Sequence, residues 1–348
     1  PRFLHNGNRP CKKRFDALHM QGTWSLVHIA GNKNIVGSKW IYKIKRNSYG
    51  SIARHKARQE QGLDFSETFS PVVRHTTIRL ILSLAAMNKW HLRQLDVKNA
   101  FLHGELEEEV FMRQPQGFAD PGYPDFVCKH KKTLYGLKQA PRAWNAKFTG
   151  YLLAIDSEVV ILLLYSDDII LIGSNEKMVH LVIDELSSVF EMKDLVSYVS
   201  NGDIFVNQSK YAKELLHKAG MTSCRSCSTP CKPHTHVLKD YGEVLTDPTL
   251  MNQPTNLHWH LVKRILRYVQ GTLEYGLSFT ASDMHLSTYS DADWVGDINT
   301  RRSTTGFVIF LGSNPISWQS KKQGSVSRSS TEAEYMTLAN TTTDLAWI

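Results

Sequence analysis

The chain has 348 residues, with 41 Lys and Arg against 33 Asp and Glu, a net charge of +8 at pH 7 that favours an acidic partner such as nucleic acid. With 42% hydrophobic and 21% charged residues, two domains with real cores are expected and global disorder is excluded. The longest apolar run, Val159–Leu164, is far short of the ~20 residues that span a membrane; with no secretory signal and only five cysteines, a reducing intracellular compartment, cytoplasm or nucleus, is expected.

In chain order, residues 1–22 read as a basic, irregular segment. Ser38–Arg46 and Ser51–Arg58 flank the turn Asn47-Ser48-Tyr49-Gly50 and predict a hairpin. Ile78, Leu82 and Ala85 recur at helical spacing over 75–88, with Thr76 or Thr77 as N-cap. A strand is expected over 91–96. The acidic run Glu105–Glu109 reads as a solvated helix face rather than a site. A helix over 139–155 precedes VVILLLY (159–165), whose unbroken apolar character predicts a strand buried on both faces. After Ser166-Asp167-Asp168 the apolar pattern resumes over Ile169–Ile172, so the acids fall at a hairpin tip. A helix over 175–190 would present Met178, Val182, Leu186 and Phe190 on one face. Another, over 209–219, stops at Gly220. From 222 to 256, Ser, Thr, Pro and Cys break the periodicity, and a domain boundary is expected there. A basic helix over 258–269, strands over 275–280, 285–290, 306–311 and 315–319, and a helix over 330–347 complete the pattern.

Two adjacent carboxylates between apolar strands are costly unless paired or neutralised by a cation. Hard oxygen donors of this kind suit Mg²⁺. Asp96 also closes an apolar strand, LRQLD. If the strands are neighbours, Asp96 and Asp167 converge on one site, the arrangement used for two-metal phosphoryl transfer. By spacing alone, a polar Ser-Asp-Asp turn explains the same residues.

The stretch QLDVKNAFLHGELEEEVFMRQPQGF (94–118) resembles the first palm motif of reverse transcriptases from copia-type LTR retrotransposons. KTLYGLKQAPRAWNAKF (132–148) and YSDDIILIGS (165–174) are similar to the next two motifs of that family. ETFSPVVRHTTIR, KYAKELLHKAGM, VKRILRYVQGTLEYGL, YSDADW, TRRSTTGF, ISWQSKKQ and SRSSTEAEY follow the family order. The resemblance implies an α+β polymerase of right-hand form: fingers and palm over 23–200, a thumb and connection remnant over 201–270, and a shortened ribonuclease H-like α/β domain over 271–348. It implies an RNA-directed DNA polymerase in which Asp96, Asp167 and Asp168 are the catalytic carboxylates. Asp96 and Asp167 would hold Mg²⁺ as two ions, with Mn²⁺ as a possible substitute. Phe101 falls where the family excludes a ribose 2′-hydroxyl, Gly136 and Gln139 where nucleotide and template are lined, and Lys56 and Arg58 on a fingers hairpin facing the triphosphate. RNA template, DNA primer, RNA/DNA hybrid and deoxynucleoside triphosphates are the implied partners, with polyprotein neighbours such as integrase and no membrane.

Asp291 and Glu332 resemble the first two metal-binding acids of a ribonuclease H-like site. The family draws two further acids from downstream, so RNA-strand cleavage is not expected. Lys321 and Lys322 are candidates for a phosphate backbone. Ser166 stands where the family carries a branched apolar residue. Segments are missing relative to the family after Arg58, after Ile155, after the MKDL stretch and after the DPTL stretch. These omissions support a second reading: a catalytically inactive retroelement fragment that retains nucleic-acid binding. Cys224, Cys227, Cys231, His234 and His236 superficially resemble a zinc site, but their spacing fits no finger pattern and zinc is not expected.

Overall fold

The computed structural model describes residues 12, 15–16, 18–29, 33, 35–36, 40–46, 52–59, 73–115, 117–134, 137, 139–151, 159–195, 199–200, 202–232, 242–243 and 255–348. Over 40–46, 52–59 and 199–200 it describes the backbone only. Helices and strands are mixed along the chain, which divides into two compact units: residues 1–73 with 93–196, and residues 74–92 with 197–348.

In the first unit, β1 (Trp24–Val27), β2 (Ile35–Val36), β6 (Glu105–Arg113) and β7 (Val127–Lys132) form a sheet ordered β1-β7-β6-β2. β3 (Trp40–Arg46) and β4 (Ile52–Gln59) pair antiparallel, as the sequence predicts. A second sheet runs β10-β5-β9-β8, from β5 (His91–Val97), β8 (Val160–Tyr165), β9 (Asp168–Gly173) and β10 (Met192–Leu195). One face of this sheet is buried. Leu95 and Val97 of β5, with Ile169 and Leu171 of β9, meet Trp144 and Phe148 from α2 (Ala140–Thr149). Val179, Ile183 and Leu186 of α3 (Glu176–Val189) and Phe190 close the same core. Each such fully buried large side chain contributes roughly 1.5–3 kcal/mol.

Three expectations are corrected here. The acidic run lies in strand β6, not on a helix; only Ala100–His103 before it forms a single 3₁₀ turn. The buried Val110, Phe111 and Met112 demand a sheet, and the acids find cations across it. Glu109 contacts Lys129 at 2.5 Å and Lys33 at 2.7 Å, Glu108 contacts Arg142 at 2.7 Å, and Glu105 contacts Lys147 at 2.6 Å. Of the expected α3 face, Leu186 and Phe190 are core residues and Val182 packs against the core partly buried, while Val179 and Ile183 are buried and Met178 is not among the core residues. β8 is an edge strand with only Leu163 fully buried, so its apolar run does not mark a central strand.

In the second unit, α1 (His75–Asn88) packs against a sheet of β14 (Leu286–Ala292), β15 (Thr304–Leu311) and β16 (Asn314–Lys322). The N-cap of α1 is Arg74, with no side-chain cap, in place of the expected threonine. β15 alternates with near-perfect period two, burying Thr305, Phe307, Ile309 and Leu311. α6 (Ser330–Trp347) lies against β14 and β15. A smaller sheet joins β11 (Val199–Ser200), β12 (Asp203–Asn207) and β13 (Gly276–Phe279). α4 (Ser209–Lys218) packs with α5 (Asn256–Gly271), which opens on a capping box from Thr255 and His258. Among the described residues, no helix is long and apolar enough to cross a membrane.

Candidate active site

The exposed face of the β10-β5-β9-β8 sheet carries the acids. Leu95 and Val97 point into the core, so strand alternation turns Gln94 and Asp96 to the other face. Ile169 and Leu171 are likewise core residues, which places Asp168 on that same outer face of β9. The Val97 amide donates to the Asp167 carbonyl at 2.9 Å, locking the hairpin tip against the end of β5. Asp96, Asp167 and Asp168 thus share one half-buried edge. Burial pushes the Asp168 carboxyl above the usual aspartate value, and the charges of Asp167 and Asp96 push it the same way. A hydrogen bond from Gln94 opposes the shift. That mutual repulsion is the electrostatic signature of a carboxylate cluster.

The tip itself is a two-residue turn. Tyr165 pairs with Asp168, leaving Ser166 and Asp167 as its central residues, and Ser166 has φ 61°. That left-handed conformation costs a non-glycine residue roughly 1–2 kcal/mol. Its carbonyl accepts a 2.9 Å hydrogen bond from the Trp144 indole nitrogen. Trp144 is 1% exposed and sits in an aromatic cluster with Phe148, Phe190 and His103, at ring separations of 5.2 to 5.9 Å. Sequence reading did not single out Trp144; a buried indole N–H needing an acceptor next to the acidic hairpin is the signal that could have found it.

The remaining candidates divide. Phe101 wedges between the two hydrophobic clusters of the first unit, and its carbonyl accepts from the Thr133 hydroxyl. Gln139 precedes α2 and is 1% exposed, with no partner for its amide among the described residues. Gly136 lies outside the described residues. Lys56 and Arg58 fall on β4, opposite Lys43 and Ile41, and their side chains lie outside the description.

In the second unit, Asp291 lies near the end of β14. Glu332 accepts from the Arg328 amide at 2.7 Å, while its own amide donates to the Ser329 hydroxyl. Glu334 reaches β14 instead, accepting from the Ala292 amide at 3.3 Å. Helical geometry explains the exchange: two positions along a helix is a rotation of about 200°. The sequence reading named Glu332 of STEAEY and did not consider the contact that Glu334 makes with β14. Lys322 pairs with Asp297, whose carboxyl it holds well below the usual range. The Cys227 thiol lies 3.4 Å from the carbonyls of Thr229 and Arg264. His234 and His236 lie outside the described residues.

Among the described residues, no three His, Cys, Asp or Glu side chains form a ready-made metal cage. Mg²⁺ does not require one: it keeps several waters and is commonly held by one or two carboxylates plus substrate phosphates. The paired hard donors Asp96 and Asp167, with the Asp168 carboxyl close enough for their charges to act on it, fit such an ion.

Comparison with known proteins identifies the family. Residues 21–156 match the family model described as reverse transcriptase (RNA-dependent DNA polymerase). The chain is 39% identical over 389 aligned positions to a retrovirus-related Pol polyprotein from transposon RE1 of Arabidopsis thaliana, covering 94% of this chain and 26% of the polyprotein. It is 35% identical to the corresponding polyprotein from transposon TNT 1-94 of Nicotiana tabacum, covering 97% of this chain and 31% of that one. The chain therefore spans about a quarter to a third of the length of these relatives. The alignment with RE1 is longer than the whole of this chain, so it needs gaps on this chain's side, in keeping with the missing segments. Among solved structures, the foamy viral protease-reverse transcriptase in complex with dsDNA is similar with a TM-score of 0.51 at 13% identity, covering 98% of this chain and 72% of that one. This last likeness is one of fold.

Proposed function

Because residues 21–156 belong to the reverse transcriptase (RNA-dependent DNA polymerase) family and the chain is a relative of retrotransposon Pol polyproteins, we propose that this chain is the RNA-directed DNA polymerase region of a copia-type element. In that reading the first unit contributes fingers and palm, and the chain transfers deoxynucleotides to a primer 3′-hydroxyl on an RNA template. The observation that carries it is the convergence of Asp96, Asp167 and Asp168 at one edge of a sheet whose other face is a packed core.

Asp96 and Asp167 would hold Mg²⁺, as two ions with Mn²⁺ as a substitute. When bound, the metal lowers the cost of negative charge building on the transferred phosphoryl group. The chain's own contribution is positioning. The Val97 and Trp144 hydrogen bonds hold the tip, and with it the Asp167 carboxylate, against β5. Asp168, whose carboxyl is pushed above its usual value by burial and by the neighbouring aspartates, supports the pair. Phe101, held by its packing against two hydrophobic clusters, is assigned to the wall that excludes a ribose 2′-hydroxyl. Gly136, Gln139, Lys56 and Arg58 are assigned to nucleotide and template contacts. RNA/DNA hybrid and polyprotein neighbours such as integrase complete the partners. Asp291 with Glu332 or Glu334 is assigned to a ribonuclease H-like remnant; Glu334 is favoured by its contact with β14.

Primer extension tests the reading. With RNA template, DNA primer, deoxynucleotides and Mg²⁺, the chain should extend the primer, and Asp167→Asn should reduce the rate at least about a hundredfold, the scale of the several kcal/mol that metal-held charge stabilisation supplies. Extension that survives the substitution, or none from folded protein, would overturn it.

A further inference from the structure

A cavity of about 390 Å³ opens in the second unit between the start of α1, the paired strands β12 and β13, and β16. That volume lies at the lower end of the range for small-ligand sites. His75, Arg79, Asn207, Tyr275 and Trp318 line it, and among the described residues no carboxylate does. The Arg79 guanidinium carbon sits over the Trp318 ring, 3.8 Å from its centroid. Stacking of this kind fixes the plane of the guanidinium and leaves its N–H donors at the edge free to bond. Among the described residues, no hydrogen bond or ion pair engages that edge. Burial alone already pulls the group below the usual arginine value. A half-buried cation without a counter-charge is an anion site in waiting. The start of α1 adds to it, because its first turn has neither an acidic residue nor a side-chain cap. At the rim, Tyr275 is 72% exposed and Trp318 is 45% exposed. Exposed rings beside an uncompensated cation match the alternation of base and phosphate in a single strand.

We propose that this cavity binds a nucleotide unit of single-stranded nucleic acid, with its phosphate on the Arg79 guanidinium edge and the start of α1, and its base against the Tyr275 ring. The site goes beyond the polymerase reading, since it involves none of the three aspartates and needs no metal.

The test uses the full chain without Mg²⁺ or triphosphates, so its failure is separate from failure of primer extension. A fluorescent four-residue oligodeoxythymidylate reports binding by anisotropy, and the same strand carrying 4-thiothymidine is photo-crosslinked and mapped by mass spectrometry. Crosslinks are expected on peptides containing Tyr275 or Trp318. Arg79→Ala and Tyr275→Ala should each weaken binding about tenfold, and Arg79→Lys less. Tyr275 is exposed, so its variant keeps the test valid should Arg79→Ala unfold. Loss in either variant together with those crosslinks supports the site. Crosslinks on neither peptide, both variants within twofold of the parent, equal binding of a tetraglutamate peptide, or displacement by inorganic phosphate as effective as by the oligonucleotide would each overturn it.

Discussion

Trp144 and His130 are both buried aromatic rings with ring nitrogens, and their partners separate their roles. Trp144 donates to the Ser166 carbonyl, so Trp144→Phe should keep the aromatic cluster yet lose about 1 kcal/mol of stability, measurable by urea denaturation. Primer extension should slow several-fold in the same variant, because the tip that carries Asp167 is no longer tethered; an unchanged rate would remove Trp144 from the positioning of the site. His130 is 3% exposed, with both ring nitrogens unpartnered among the described residues and its pKa lowered to about 4 by burial. A histidine held neutral costs nothing above its ordinary value of 6.5, where both folded and unfolded states are uncharged. As the pH falls below 6.5 the unfolded chain takes up the proton first, and stability declines by about 1.4 kcal/mol per unit until pH 4. Denaturation midpoints at pH 7 and pH 5 should therefore differ more in the parent than in His130→Leu; equal differences would show that another group titrates.

At the scale of elements, the β8–β9 hairpin and β6 show what periodicity can and cannot decide. The hairpin was legible because two apolar runs flank a polar break; its acids read equally as a polar turn until the family resemblance singled them out. The left-handed φ of Ser166 was not, since it follows from the two-residue connection. Ser166→Gly should stabilise the hairpin by about 1 kcal/mol, whereas Ser166→Val should destabilise it by a similar amount, because a β-branched residue tolerates positive φ poorly. Denaturation midpoints that rank the other way would reject the turn geometry. The acidic run of β6 misled because four glutamates in five residues carry no clear period; the lysines and arginine that pair with it lie 20 to 76 positions away in sequence. The α3 face kept Leu186 and Phe190 but took in Val179 and Ile183, because its apolar positions are numerous enough to admit two neighbouring stripes and the packing beneath decides between them.

For the whole molecule, a net charge of +8 implies nucleic-acid binding that weakens with salt. If three phosphates are engaged, affinity should fall by roughly fortyfold between 50 and 200 mM salt, read from filter binding at several concentrations; a flat dependence would argue against a phosphate-tracking surface. Residue order alone determined the lineage, the hairpin with its acids, the strand that ends in Asp96, and most of the helices, because chemistry-bearing side chains and short-range periods are written locally. Tertiary structure alone decided that β8 is an edge, that α1 joins the second unit, that Glu334 rather than Glu332 meets β14, and that Arg79 lies over Trp318 across a cavity. Each of these depends on which surfaces meet, and a contact between residues 239 positions apart, as for Arg79 and Trp318, leaves no periodic trace in the chain.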